Sequence, residues 1–530
     1  EDKDSDAEIL EDREGDAAVA AGAAGAAEDA DADLTPVTIE GIVRDFCDEV
    51  DSKWTLLARD LCGTHVLRAL LHALTGRVDA SANRGTAVAR KKNGKKKKKK
   101  RKKSTVSEHD EQYNRRSLAD RIPEPEHSVP ESWESAVVAI VTLMSSKTSK
   151  ELYDMSFDSN GSPVLQLMLV IGAHHSEKTD SLIRRILDWS ELEAYEKRVA
   201  DARAAAAATV AAPAAPTPRS WVDDMVRDQC SSHVLEVMLQ YSSDALYFDL
   251  LQRVFCGHIT TFATAPICNF VVQKLVACAR SPAHLEIILK EIKPVMAQLI
   301  HPRLLGVVWR VVEATNKYTG YQERVVRWLV RASKKKAGKD IVNALLWTPV
   351  APTKEGEAGV AGGEDFEGGA SSATAAAGVI NGSSSSSSSS AGTTLVLSIA
   401  GARTLQQLFR APPSVCAPVL SSFAAQTQEQ LALLATHPVG SRAVLEAVLE
   451  GPDDFNRAKQ GIVDGLAGKL VDVSCDRFGT YVVQKCYGMA RMKRKEAMAL
   501  ELSKKTRVLS GCANGRHVLR ACRAELYERS

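Results

Sequence analysis

The stretch Cys-Asn-Phe-Val-Val-Gln at 268–273 decides the fold, because the same phrase returns along the whole chain. It reads Gly-Thr-His-Val-Leu-Arg at 63–68, Gly-Ser-Pro-Val-Leu-Gln at 161–166 and Ser-Ser-His-Val-Leu-Glu at 231–236. It returns as Gly-Thr-Tyr-Val-Val-Gln at 479–484 and Gly-Arg-His-Val-Leu-Arg at 515–520. Weaker copies are Leu-Gly-Val-Val-Trp-Arg at 305–310, Gly-Ala-Arg-Thr-Leu-Gln at 401–406 and the stretch from Gly440 to Glu446. Starts at 231, 268 and 305, and again at 401, 440, 479 and 515, give a period of about 36–39 residues, the size of one helical hairpin with its turns. An α-solenoid follows.

Each copy is helical by pattern. Val271, Val272, Leu275 and Val276 make the i, i+1, i+4, i+5 stripe of a buried helix face. Val234, Leu235, Met238 and Leu239 repeat it, and amphipathic runs such as 244–259 and 284–300 lie between copies. Neither helix of a pair can bury its stripe alone, so stacked neighbours share one core. The three longer gaps each hold a biased segment: a Lys-rich one at 79–130, an Ala/Pro-rich one at 200–219 and a Gly/Ala/Ser-rich one at 351–392. A further, poorly formed repeat is expected at 338–347.

With the stripe pointing inward, the second, third and sixth residues of the phrase are expected to point out. Asn269 and Gln273 lie one turn apart with Phe270 beside them. Two polar groups so placed can bond the edge of one base while a ring stacks on its face. The corresponding sets are Thr64/His65/Arg68, Ser162/Pro163/Gln166, Ser232/His233/Glu236, Gly306/Val307/Arg310, Ala402/Arg403/Gln406, Thr480/Tyr481/Gln484 and Arg516/His517/Arg520. At 440–446 the register is ambiguous. The stripe Val444, Leu445, Val448, Leu449 makes Glu446 the second edge reader there, with Ser441 and Arg442 nearby. One such set means little, but a ladder of them offers one base per step. Pro163, Val307 and Gly306 break the pattern.

The net charge of +2 hides an asymmetry. Residues 1–33 carry thirteen acids and two bases and are expected to be a disordered arm. Residues 90–103 hold twelve Lys/Arg, which suit a nuclear or nucleolar address or a polyanion-binding arm. Ten bases against two acids fall in 303–339, and seven against two in 491–507, where phosphate contacts are expected. Eleven cysteines without a Cys-x-x-Cys pair read as free thiols, several filling small buried places, and not as a zinc site. No apolar run spans a bilayer and no secretory leader opens the visible chain, which starts with Glu and leaves room for an upstream piece. No phosphate loop, nucleophile elbow or His-Glu-x-x-His occurs, so no enzyme is expected.

The phrase resembles Pumilio/PUF repeats, whose second helix carries Gly-Asn-Tyr-Val-Val-Gln. Cys268–Gln273 and Gly479–Gln484 match it closely, and the resemblance covers most of 55–525 outside the insertions. It implies an all-α, curved (C- or U-shaped) α-solenoid of three-helix repeats over 34–530, about ten or eleven in number, binding single-stranded RNA on its concave face. The uneven spacing and the run 63–76 are similar to the ribosome-biogenesis branch of the family. That branch implies a nuclear and nucleolar protein that binds pre-18S rRNA, protects it from early cleavage and meets small-subunit assembly factors. No cofactor, metal, membrane or small-molecule substrate is expected, and the chain is expected to be a monomer. By the family's pairing rules Asn269/Gln273 favour uracil, Ser232/Glu236 guanine and Ser162/Gln166 adenine, read antiparallel as 5′-UGA-3′. The Arg-bearing sets at 64–68, 306–310 and 516–520 depart from those rules and imply phosphate or structured-RNA contacts. Competing expectations are a PUF-type mRNA regulator and an armadillo/HEAT-like protein scaffold.

Overall fold

The computed structural model describes residues 38–50, 53–77, 126–194, 197, 221–337, 340–350 and 394–524. The acidic arm and the Lys run lie outside the described residues, as do nearly all of the three expected insertions. The chain divides into two compact units, 1–49 and 50–530. In the first, the described element is the amphipathic helix Ile39–Val50, whose last residue begins the second unit.

The second unit is a curved α-solenoid of three-helix repeats. Repeat 4 shows the plan: a short first helix Ile259–Thr264, a middle helix Cys268–Ala277 carrying the phrase, and a third helix Pro282–Ile292. Nine middle helices are present among the described residues. They are Gly63–Leu74, Gly161–Gly172, Ser231–Tyr241, Cys268–Ala277, Leu305–Lys317, Ile399–Leu408, 440–449, Gly479–Met489 and Ala513–Ala521. Each packs on the next, so they form one ladder. Their stripes are the core: Val271, Val272, Leu275 and Val276 are fully buried, and so are Val234 and Met238.

Ile341–Leu346 is not a repeat of its own. It is the first helix of repeat 6, packed on the middle helix Ile399–Leu408. The intervening sequence leaves and rejoins through two antiparallel strands, Trp347–Val350 and Thr394–Leu397, with Trp347 opposite Leu397. The Trp347 indole donates to Gln426 Oε1 at 3.0 Å and pins this neck to repeat 6. All eleven cysteines are free; Cys268 is buried, but Cys62 is exposed, contrary to the small-buried-residue expectation. No helix among the described residues is long and apolar enough to cross a membrane.

Candidate nucleic-acid interface

An aspartate three residues before the phrase sets the angle between first and middle helix. Oδ1 of Asp60, Asp158, Asp228 and Asp476 accepts the N–H of Gly63, Gly161, Ser231 and Gly479 at 2.7–2.9 Å. Ser398 and His437 do the same for Gly401 and Gly440. Short side-chain acceptors favour such turns because they satisfy the donors a helix start leaves open. The bend presses the first phrase residue against the first helix. A Cβ on Gly479 would sit 2.1 Å from the Val473 carbonyl oxygen. Ser231 occupies the equivalent place by donating to Met225 O at 3.0 Å.

The second position is buried, which corrects the expectation that all three residues point out. Asn269 is 1 % exposed, and Thr64, Ser162, Ser232, Ala402, Ser441 and Thr480 are buried with it. The polar groups at this position are taken up inside the protein. The Thr64 hydroxyl donates to Asn160 O (2.8 Å) and that of Ser162 to Cys230 O (3.0 Å), each in the next repeat. Asn269 Nδ2 donates to Ala265 O and Pro266 O, and the Thr480 hydroxyl to Ser474 O. Arg516, in the last described repeat, is exposed and donates to Ser510 O.

The third position is the exposed one. Phe270 is 54 % and Tyr481 60 % exposed. His65, His233, Arg442 and His517 are exposed too, while Pro163 and Arg403 are half-buried. At the sixth position Arg68, Gln166, Glu236, Gln273, Gln406 and Gln484 are half-buried at the ladder's surface, and Arg520 is exposed. Two of these are braced by the buried second position: Gln273 Nε2 donates to Asn269 Oδ1 at 2.9 Å, and Gln166 Nε2 to Ser162 Oγ at 3.0 Å. Arg403 Nη1 donates to Gln406 Oε1 at 3.2 Å. His233 Nδ1 is 3.3 Å from Glu236 Oε1, and this hydrogen bond holds the imidazole pKa above its ordinary value despite partial burial.

Repeat 5 is shifted by one residue from the sequence register. Leu305 N–H donates to His301 O as Asn269 N–H does to Ala265 O, and Val307, Val308, Val311 and Val312 are buried as Val271, Val272, Leu275 and Val276 are. The second, third and sixth positions are therefore Leu305, Gly306 and Trp309, with Leu305 buried like its counterparts. Arg310 lies one position further round, paired with Glu313 at 2.7 Å and stacked 4.2 Å from the Trp309 ring centre. In repeat 7 a π-helical turn, Gly440–Leu445, absorbs one extra residue. It puts Ser441 and Arg442 in the second and third positions and moves the sixth to Glu446. Lys485 of repeat 8 contacts Glu446 and Glu450; burial pulls its pKa down, but these hydrogen bonds outweigh it and the value is raised. The Arg442 and Arg477 guanidinium groups lie 5.5 and 5.7 Å from the Phe478 ring centre.

Sequence reasoning missed the capping aspartates, although their spacing before the phrase was a readable signal. It also missed Lys485 and Phe478, which matter only because repeats 7 and 8 touch. The basic clusters lie mainly off the ladder: 303–339 on the third helix Gln322–Ala337, and 491–507 on the third helix Met492–Ser503 and the short helix after it. No group of metal-binding side chains occurs among the described residues.

A ladder of middle helices with exposed rings and braced amides is the architecture of a Pumilio-type repeat protein. The sequence pattern of the NOP9-like PUF repeat domain matches residues 7–517, and the chain belongs to that family of RNA-binding repeats. Nucleolar protein 9 of Homo sapiens is 26 % identical over 296 residues, covering 56 % of this chain and 44 % of the human one. Nucleolar protein 9 of Neosartorya fischeri is 22 % identical over 494 residues, covering 91 % of this chain and 61 % of its own. The chain thus spans roughly half the length of these curated relatives. Among solved structures, APUM23 with the RNA GGAGUUGACGG superposes with a TM-score of 0.63 at 18 % identity, over 92 % of this chain and 77 % of that one. At that identity the likeness shows the fold.

Proposed function

We propose that the chain is a nucleolar RNA-binding protein of small-subunit ribosome biogenesis, which holds single-stranded and structured pre-18S rRNA and shields it from premature processing. One observation carries the RNA reading. At repeat 4 the Gln273 amide is fixed by buried Asn269 and lies beside exposed Phe270, so one base can be bonded at its edge and stacked on its face. Asn269 is on this account the brace and Gln273 the reader. Ser162 and Gln166 repeat the brace; in repeat 3 Glu236 is the reader, with His233 as its stacking group. Together these three steps favour 5′-UGA-3′, and that triplet occurs in the RNAs GGAGUUGACGG and GGAUUUGACGG named with the APUM23 structures. Thr480/Tyr481/Gln484 form a fourth reading step. The Arg-bearing positions Arg68, Arg310, Arg516 and Arg520 contact phosphate. The names of the relatives support the nucleolus. The chain acts without catalysis or cofactor, as a monomer, beside small-subunit assembly factors.

The test is crosslinking in cells followed by sequencing of the bound RNA. Recovery of pre-18S segments supports the reading. Recovery of mature mRNA 3′ ends instead makes this a PUF-type mRNA regulator.

A further inference from the structure

Two thiols meet where repeat 8 joins repeat 9. Cys475 ends the first helix of repeat 8, Leu470–Cys475, and Cys512 precedes the middle helix of repeat 9, Ala513–Ala521. Their Sγ atoms lie 3.2 Å apart, although the residues are 37 positions apart in the chain. Among the described residues no other two cysteines share a hydrogen bond. Both side chains are half-buried, so a small reagent reaches them. Cys512 stands three residues before Gly515, in the place that other repeats give to a capping aspartate, serine or histidine. Its Sγ accepts the Gly515 N–H at 3.2 Å, as Asp476 Oδ1 accepts that of Gly479. Asn514 Nδ2 donates to Cys475 O at 3.1 Å, so the two segments are already tied beside the sulfurs.

An aspartate at 512 would cap the helix as well as a cysteine does. What the thiol adds is a partner for Cys475. Bonded sulfurs lie about 2 Å apart, so a bridge asks the pair to close by little more than about 1 Å. The two thiols are unequal. Burial, then the hydrogen bond with Cys512 and the charges of Cys512 and Asp472, push the Cys475 thiol up to about 11. Cys475 is therefore the poorer nucleophile, and Cys512 is the one that attacks first. Once Cys512 carries an adduct, its own share of the rise at Cys475 is gone. Cys486 and Cys522, also of repeats 8 and 9, are buried and pushed up to about 12. Buried thiols of that kind are inert.

We propose that Cys475 and Cys512 form a redox-active dithiol site, which a small-molecule disulfide converts into a bridge that latches repeat 9 to repeat 8. The Cys512 thiolate attacks one sulfur of the reagent and breaks its S–S bond. One half stays as a mixed disulfide on Cys512, and the other leaves as a thiolate. The Cys475 thiolate then attacks Cys512 Sγ, the Sγ–Sγ bond forms, and the second half leaves. The two cysteine protons end on the two released thiolates. Two cysteines are oxidised, and one reagent disulfide is reduced to two thiols. In a reducing compartment such a bridge is transient, so the site responds to a rise in oxidant. The bridge closes the chain from 475 to 512 into a loop and restricts its local opening. This inference does not rest on the RNA reading.

The test exposes the reduced full chain to mixtures of oxidised and reduced glutathione, quenches with iodoacetamide and reads the cysteines by peptide mass spectrometry. The peptides holding Cys475 and Cys512 should appear joined. The oxidised share needed should be about tenfold below the one that half-modifies exposed Cys62. Dithiothreitol should restore both thiols. Cys475→Ser should stop the reaction at a glutathione adduct on Cys512. Cys512→Asp, which carries the cap of other repeats, should leave Cys475 a free thiol at the same ratio. Amide hydrogen exchange over 506–521 should slow about tenfold in the bridged form. Separate glutathione adducts on both cysteines of the parent overturn the proposal. So does a bridge that needs as much oxidant as Cys62, a Cys475 adduct formed as readily in Cys512→Asp, or exchange that bridging leaves unchanged.

Discussion

Repeats 4 and 5 are neighbours built from almost the same phrase, yet they present opposite surfaces. In repeat 4 a ring stands exposed beside a braced amide. In repeat 5 a one-residue shift brings Gly306 to the stacking position, and Arg310 is engaged by Glu313 and Trp309. The second surface serves the first. A Cβ on Gly306 would lie 2.5 Å from the Gln273 amide, so the missing side chain is the space Gln273 occupies. A step that reads nothing can still be part of its neighbour's site.

The strongest way to break this contrast is to remove the reader. Asn269→Ala with Gln273→Ala should cost about 2–3 kcal/mol, on the order of 100-fold in affinity, and relax the preference for uracil at one base. Arg310→Ala should leave base preference untouched in the same binding assay. Phe270→Ala removes one stacking face and should cost roughly tenfold, without changing which base is preferred.

Gly306→Ala sharpens the contrast further. The new methyl meets the movable end of Gln273, so RNA affinity should fall severalfold while the melting temperature stays within about a degree. Gly479→Ala meets a fixed backbone carbonyl instead. It should lower stability by about 1–3 kcal/mol, seen as an earlier thermal transition.

The smallest effect is a titration. Because His233 has a raised folded pKa, the stability its pairing with Glu236 adds is present below the unfolded value of about 6.5 and is lost as pH rises through the folded one. The ring is about half exposed, so solvent screening keeps that contribution small. An NMR titration of Glu236→Gln should show the His233 midpoint falling towards its ordinary value.

The repeats and their apolar stripes were legible because the i, i+1, i+4, i+5 pattern recurs with the phrase. Glu446 was placed from that stripe alone, and the π turn is the physical means by which the extra residue is carried. Burial of Asn269 and its counterparts was not legible, since it depends on backbone carbonyls of the preceding turn for Asn269 and of the next repeat for Thr64 and Ser162, which spacing does not show. The register of repeat 5 was misread because Leu305-Gly-Val-Val fits the phrase from either of two starts. His301, three residues before Leu304 in the place of the capping aspartates, marks the right one. The segment 341–346 looked like a separate repeat because a long biased stretch parts it from its own middle helix.

The neck at 347–350 and 394–397 has a consequence for how this chain can change. Paired strands lie roughly 5 Å apart, so the chain returns beside the point where it left. Closing a longer loop across that gap costs only about 0.6 kcal/mol for each doubling of its length. The solenoid therefore has a graft point: sequence can lengthen, shorten or be exchanged there, and repeats 6 and 7 keep their register.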